Sequence, residues 1–293
     1  MTRWLARAAN GWSRFWFAPA SPYPAAAFRI LLGLFLIPYM LRYAPDVDGL
    51  FSNQGVYLKY FVPYDAPPPA VAWLLFAALL AVTACVIAGY RAAWTAPAMA
   101  LLYLHHYFLQ IAVCDTSFER LLMFFLVTLC FARSNRVWSL DARAGRAGAA
   151  PADAWVGRIV RFQMIIFYFG CGLWKVFNPA WEDGLLLRNG YLGMWSTPMS
   201  AALAWTDLSP QTWYVLTRVV AWMEIVLAGL LLVRRTRPLG MVLGLLFHLH
   251  NSVILFLPEF MVAVVPYVYF FVPETIRRAG ESLRSAFRKR PAA

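Results

Sequence analysis

A handful of ionisable and polar side chains lie inside otherwise apolar stretches, and any chemistry has to start from them: Lys175, His248, Asn251, His106, Glu224 and Arg29, with Trp174 and Trp181 beside the lysine. Such groups are costly in a hydrocarbon layer, so they face a bundle interior or a cavity and mark functional sites by default. A lysine withdrawn from water is the usual way for an amine to take a proton from a substrate near neutral pH. Lys175 precedes Trp181-Glu182-Asp183-Gly184 and reads either as such a base or as a span-end lysine snorkelling to the headgroups. His248, Asn251 and Ser252 follow i, i+3, i+4 spacing and share one helix face, whereas His250 is rotated by about 200° from His248. The two are therefore poor partners for one metal ion. His106 and Gln110 are one turn apart, while the adjacent His105 points elsewhere, and no Glu-x-x-His pair or carboxylate cluster joins them. No metal site is expected. His105 and His250 read as hydrogen-bonders between helices, and Glu224 reads as a partner for Arg29 or Arg218 in a structural ion pair or proton relay.

The elements that position these groups follow from composition. Of 293 residues, 61% are hydrophobic and 14% charged, with a mean hydropathy of +0.58. Water cannot cover that much apolar surface, so lipid is the solvent for most of the chain. About 20 apolar residues cross the hydrocarbon as a helix, and spans are expected near 25–43, 70–89, 93–113, 118–132, 156–177, 212–233, 238–257 and 260–272. The expected fold is an all-α integral membrane protein, a polytopic bundle of about eight transmembrane helices. Residues 1–24, with Trp4, Trp12, Trp16 and Arg3, Arg7, Arg14, read as an amphipathic helix in the interface, not as a signal peptide. A single membrane domain over 25–272 holds an Ala/Gly/Arg connector at about 142–154, expected to be flexible and cytoplasmic, and is followed by a basic cytoplasmic tail at 273–293.

Charge supplies the orientation. Sorting Lys and Arg by alternate span ends puts nineteen on one side and five on the other, and the second side also carries nine carboxylates. Positive charge marks the cytoplasmic face, so both termini are expected in the cytoplasm of a multi-pass cell-membrane protein. The formal charge of +12 thus reports topology, and no nucleic-acid partner is expected. Cys85, Cys114, Cys130 and Cys171 lack C-x-x-C spacing and read as buried small hydrophobes, with a Cys114–Cys171 disulfide left open. No internal repeat is evident, which argues against a transporter built from matching halves.

Several short stretches together resemble one family. They are Phe28-Arg29-Ile30-Leu31-Leu32-Gly33, Gly89-Tyr90-Arg91, Asp115-Thr116-Ser117-Phe118, Trp138-Ser139-Leu140-Asp141, the run from Gln163 to Tyr168, Gly172-Leu173-Trp174-Lys175 leading to Trp181, and Phe247-His248 followed by Asn251. Their order is similar to that of the HTTM (horizontally transferred transmembrane) domain, the membrane domain of vitamin K-dependent gamma-carboxylase. The resemblance implies a base role for Lys175 and places His248 and Asn251 in the same cavity; Lys175 and His248 are the expected catalytic residues, and Asn251, His106, Trp174 and Trp181 the expected substrate-binding ones. It also implies a reduced quinone of the vitamin K or menaquinone type as co-substrate. Arg29 and Glu224 remain structural polar residues. The carboxylase has a second lysine where this chain has Trp174, and it carries a large lumenal part beyond its membrane domain. Chemistry on a membrane quinol is therefore the expectation, rather than carboxylation of a protein. The competing expectation is a non-catalytic protein that binds membrane lipid or assembles with a partner through its basic side.

Overall fold

A computed structural model describes residues 3–55, 64–111, 116–148, 152–193, 195–204 and 208–288. In chain order the helices are α1 (Arg3–Phe17), α2 (Pro22–Leu41), α3 (Val47–Phe51), α4 (Pro69–Ala88), α5 (Ala92–Gln110), α6 (Ser117–Phe131), α7 (Leu140–Arg143), α8 (Ala154–Phe177), α9 (Leu185–Leu192), α10 (Pro198–Ala204), α11 (Pro210–Leu232), α12 (Arg237–Val253) and α13 (Pro273–Arg288). Tight 3-10 turns occupy Ala44–Asp46, Pro179–Trp181 and Pro258–Tyr269, and the two-residue strands β1 (Pro19–Ala20) and β2 (Ala152–Asp153) pair antiparallel. The all-α membrane class stands. Four described helices, α2, α4, α8 and α11, are long and apolar enough to cross a membrane alone, or up to five spans if Pro258–Tyr269 and Pro273–Leu283 count as one broken span. The expected count of about eight is not confirmed: α6 and α12 have 15 and 17 residues, and α5 carries His105 and His106 within its 19.

The chain forms two compact units, Met1–Val160 with Phe271–Ala293, and Arg161–Phe270. In the first, α4 packs against α2 and α5, α5 against α6, and α13 against α2. The pieces of sequence that resemble the family meet here. Asp141 N–H donates to Gly89 O (3.0 Å), and the Asp141 carboxylate accepts from Arg91 N and Ala92 N, both at 2.9 Å. These amides open α5 and have no partner inside the helix, so the carboxylate caps it from a distant loop. Asn135 Nδ2 (3.0 Å) and Arg146 Nε (3.1 Å) complete the shell. Arg29, fully buried in α2, donates to Ser134 O and, at 2.6 Å, to Trp138 O. Gly89 turns the chain between α4 and α5 at φ +64°, and a Cβ there would meet Ser139 and the Arg29 guanidinium. Only glycine fits both demands. Arg29, Gly89-Tyr90-Arg91 and Trp138-Ser139-Leu140-Asp141 thus form one structural latch.

The expected connector at 142–154 begins inside α7 and runs through β2 to the first residue of α8, where Ala154 N donates to Ala18 O (3.0 Å). Residues 149–151 lie outside those described. The region assigned to a tail contains α13, and a Cβ on Gly280 of that helix would strike the Trp138 ring. On α1, Trp4, Trp12 and Phe17 are exposed, while Arg158 stacks on Phe15 at 4.1 Å.

Burial pushes the Asp141 carboxyl up, but the hydrogen bonds from Asn135, Ala92, Arg91 and Arg146 outweigh it and hold the group at about 2, below its ordinary 3.8. A depressed carboxyl contributes stability that is fully present above the ordinary value and is lost as pH falls through the folded one. Asp141→Ala removes the whole shell and is expected to cost about 3 kcal/mol, read as a lowered thermal unfolding midpoint in detergent. The difference between wild type and Asp141→Ala should be constant above pH 4 and shrink as pH falls from about 4 towards 2.

Candidate functional site

The lysine, the glutamate and the later histidine all belong to the second unit. On α8, Tyr168, Cys171, Gly172 and Lys175 follow i, i+3, i+4, i+7 spacing and form one stripe. Gly172 lets α8 approach α11 backbone to backbone, since a Cβ there would come within 2.8 Å of Ala221 O and 2.9 Å of Ile225 N. That approach brings Lys175 to Glu224. Lys175 Nζ lies 2.6 Å from Glu224 Oε2, with side-chain exposures of 16% and 6%. The lysine does not snorkel free: its charge is answered inside the unit. Glu224 therefore pairs with Lys175 rather than with the expected Arg29 or Arg218. Arg29 is engaged in the latch of the first unit, and Arg218 Nη1 donates to Val176 O at 3.3 Å.

Beyond α8, Asn178-Pro179 stops the helix because proline cannot continue it, and Asn178 Oδ1 accepts from Ala180 N at 3.0 Å to close a tight turn. The turn returns Trp181 towards the helix it has just left. Lys175 Nζ sits 5.0 Å from the Trp181 ring centroid, a cation over an aromatic face, and the indole Nε1 is buried without a hydrogen-bond partner among the described residues. Trp174 is 59% exposed, about 100° round α8 from Lys175.

A second polar group is built from three elements of the same unit. His248 on α12 is buried, and its Nε2 is 2.8 Å from the Tyr168 hydroxyl, which is in turn 2.8 Å from the Tyr267 hydroxyl in the Pro258–Tyr269 turn. The other ring nitrogen, Nδ1, is buried and has no hydrogen-bond partner among the described residues. Asn251, half-buried one turn on, gives its backbone carbonyl to Leu257 N at 3.1 Å. His250 instead bonds the Tyr191 hydroxyl through Nε2 (2.6 Å).

His106 is placed in the first unit. Its Nδ1 is bonded to Leu102 O (2.7 Å), and its ring stands edge-on to Phe51 at 4.7 Å. Nearby in sequence, Gln110 Nε2 and the Tyr39 hydroxyl both donate to Glu119 Oε1, at 2.9 and 2.8 Å. His105 bonds the Tyr64 hydroxyl at 2.7 Å. Among the described residues no three His, Cys, Asp or Glu side chains converge as metal ligands. Cys85, Cys130 and Cys171 carry free thiols, and Cys114 lies outside the described residues.

Sequence reasoning did not single out Tyr168 and Tyr267 as partners of His248, nor Lys175 as the partner of Glu224. One signal was available, the seven-residue spacing from Tyr168 to Lys175 on a helix that places a glycine between them.

A family model for the HTTM domain matches residues 17–275, most of the chain. The chain belongs to the HTTM domain family of membrane proteins. No curated protein and no solved structure matches it.

Because Glu224 is deeply buried, removing its cation alone should cost more than removing both charges. Lys175→Met is expected to destabilise by about 3 kcal/mol, and Lys175→Met combined with Glu224→Leu to recover most of the loss. Thermal unfolding of the three proteins, followed by tryptophan fluorescence in one detergent, checks the order.

Proposed function

We propose that this HTTM protein is a membrane enzyme that takes up a lipid hydroquinone and removes its hydroxyl proton at Lys175. The observation that carries this reading is the Lys175–Glu224 pair, 2.6 Å apart and shielded from water, with the Trp181 ring against the amine. In a low-dielectric site, charge separation between ammonium and carboxylate is expensive, and moving the shared proton to Glu224 makes the pair neutral. Nζ then offers a lone pair to an incoming hydroxyl, and its new proton restores the ammonium beside a carboxylic acid. The hydroquinone anion is electron-rich and reacts with dioxygen. Overall, hydroquinone and dioxygen give the quinone epoxide and water: one oxygen atom enters the ring, and the other leaves as water with the two hydroxyl hydrogens. The family resemblance supports the quinol and the base role, His248 and Asn251 would contact the same substrate, and Trp181 would close it off from water.

A second reading is a non-catalytic protein that binds anionic lipid or assembles with a partner. Exposed Trp4, Trp12 and Phe17 on α1, together with the arginines of α1 and α13, favour it. Under either reading the protein sits in the cell membrane with its basic face and both termini in the cytoplasm.

The test is turnover of reduced menaquinone and reduced vitamin K with oxygen, by purified protein in lipid nanodiscs, followed by mass spectrometry of quinone and epoxide. Wild type is expected to form epoxide, and Lys175→Ala to lose at least about 100-fold of the rate. Folded wild type that forms none, together with loss of anionic-lipid retention on replacing Arg7 and Arg14, would transfer the assignment to the second reading.

A further inference from the structure

The buried chain Tyr267–Tyr168–His248 has a property that neither the base role of Lys175 nor the family match uses. Each link is 2.8 Å long, and each can run in either direction. A phenol hydroxyl both donates and accepts, and a neutral imidazole donates from one nitrogen and accepts at the other. Two consistent arrangements follow. In one, Tyr267 donates to Tyr168 and Tyr168 donates to His248 Nε2, so the ring proton resides on Nδ1. In the other, His248 Nε2–H donates to Tyr168 and Tyr168 donates to Tyr267, so Nδ1 carries a lone pair. Both use the same two hydrogen bonds, and the choice is left to whatever Nδ1 meets. That nitrogen is buried and has no partner among the described residues, on a residue only 1% exposed. A buried polar atom of this kind is normally satisfied.

The surroundings fix the chain in place without fixing its direction. Tyr168 is fully buried on the α8 stripe that also carries Lys175. Gly244, one turn before His248 on α12, leaves the space that the Tyr267 hydroxyl occupies, since a Cβ there would collide with it. The Ser252 hydroxyl bonds His248 O at 2.8 Å, closing that turn of the helix without touching the ring.

We infer that Tyr168 and Tyr267 are positioning residues that form a reversible hydrogen-bond chain. The chain lets His248 Nδ1 accept from a hydroquinone hydroxyl in one direction and donate to a quinone-type carbonyl in the other. The inference rests on the quinol reading above and deepens it: the proposed reaction converts a ring hydroxyl into a carbonyl, and one nitrogen serves both without moving. Both arrangements hold the same number of protons: as one ligand leaves and the next enters, Nδ1 gives a proton to solvent and Nε2 gains one from it, the hydroxyl hydrogens rotate to follow, and no net charge enters the buried site. A ligand shifts such an equilibrium by its differential affinity for the two arrangements, and one hydrogen bond's worth of difference suffices when they are otherwise balanced.

The test is nitrogen NMR of ¹⁵N-histidine-labelled protein in nanodiscs, which distinguishes protonated from unprotonated ring nitrogens, with the His248→Asn spectrum identifying the signals. The probes are 2-methyl-1,4-naphthoquinone and, under anaerobic conditions, its hydroquinone. With the quinone the proton is expected on Nδ1, and with the hydroquinone on Nε2. Tyr168→Phe, which removes one hydroxyl from the chain, is expected to abolish the exchange and weaken binding of both probes by about tenfold. Binding of both probes with the same tautomer in each overturns the chain while leaving the quinol reading intact. Wild type that binds neither probe and turns over no quinol overturns the reading and this inference with it.

Discussion

Inside hydrocarbon, a charge or a hydrogen-bonding group has to be answered by another part of the same chain, and most of this structure follows from that constraint. Its sharpest expression is the contact between Lys175 and Glu224. Neither residue belongs in a dry interior alone, and each makes the other tolerable. The close packing of α8 on α11 at Gly172, the proline-ended turn that brings Trp181 back, and the aromatic face against the amine all serve that pair. The same requirement shapes the first unit differently. There the buried Arg29 guanidinium is answered by two backbone carbonyls, and the loop that supplies them is itself held by Asp141 at the start of α5.

The two solutions divide the short stretches that resemble the family by purpose. Phe28-Arg29, Gly89-Tyr90-Arg91 and Trp138-Ser139-Leu140-Asp141 are parts of one latch, held within the first unit by the bonds of Arg29 to Ser134 O and Trp138 O and of Asp141 to Gly89, Arg91 and Ala92. Gly172, Lys175, Trp181 and His248 build the second unit's polar groups, where the indole Nε1 of Trp181 and Nδ1 of His248 have no partner among the described residues. A buried donor or acceptor with no partner among the described residues is what a ligand site offers; two lie beside the lysine and on the histidine, where the proposed chemistry requires them, and others, such as Arg29 Nε and His106 Nε2, lie in the first unit.

Much of this was legible in the sequence, for physical reasons that also set its limits. Composition gave the membrane class, because apolar area is a sum over residues. The helical spacing of His248 and Asn251 and the divergence of His250 were readable because they are local, and His250 does turn away to Tyr191. The pairing of Lys175 with Glu224, 49 residues apart, was not readable, since tertiary partners depend on which helices pack. Arg29 was an attractive partner for Glu224 by charge alone, yet its two terminal nitrogens bond backbone carbonyls, which carry no signature in sequence. Span counting was weakened where helices are short or interrupted: α6 and α12 are too short to qualify alone, and Pro258–Tyr269 is wound as a 3-10 helix.

The central claim is that the polar interior of the second unit holds a hydroquinone against Lys175 and His248. Photo-crosslinking tests it most directly: a naphthohydroquinone carrying a short diazirine tail is irradiated with the protein in nanodiscs, and the labelled peptides are mapped by mass spectrometry. The account predicts labelling concentrated in the stretches around Tyr168 to Lys175 and Met241 to Asn251, suppressed by excess unlabelled hydroquinone. Labelling that instead falls on outward-facing residues outside those stretches, such as Trp222, Val226 and Leu232, and that persists under competition, would contradict it.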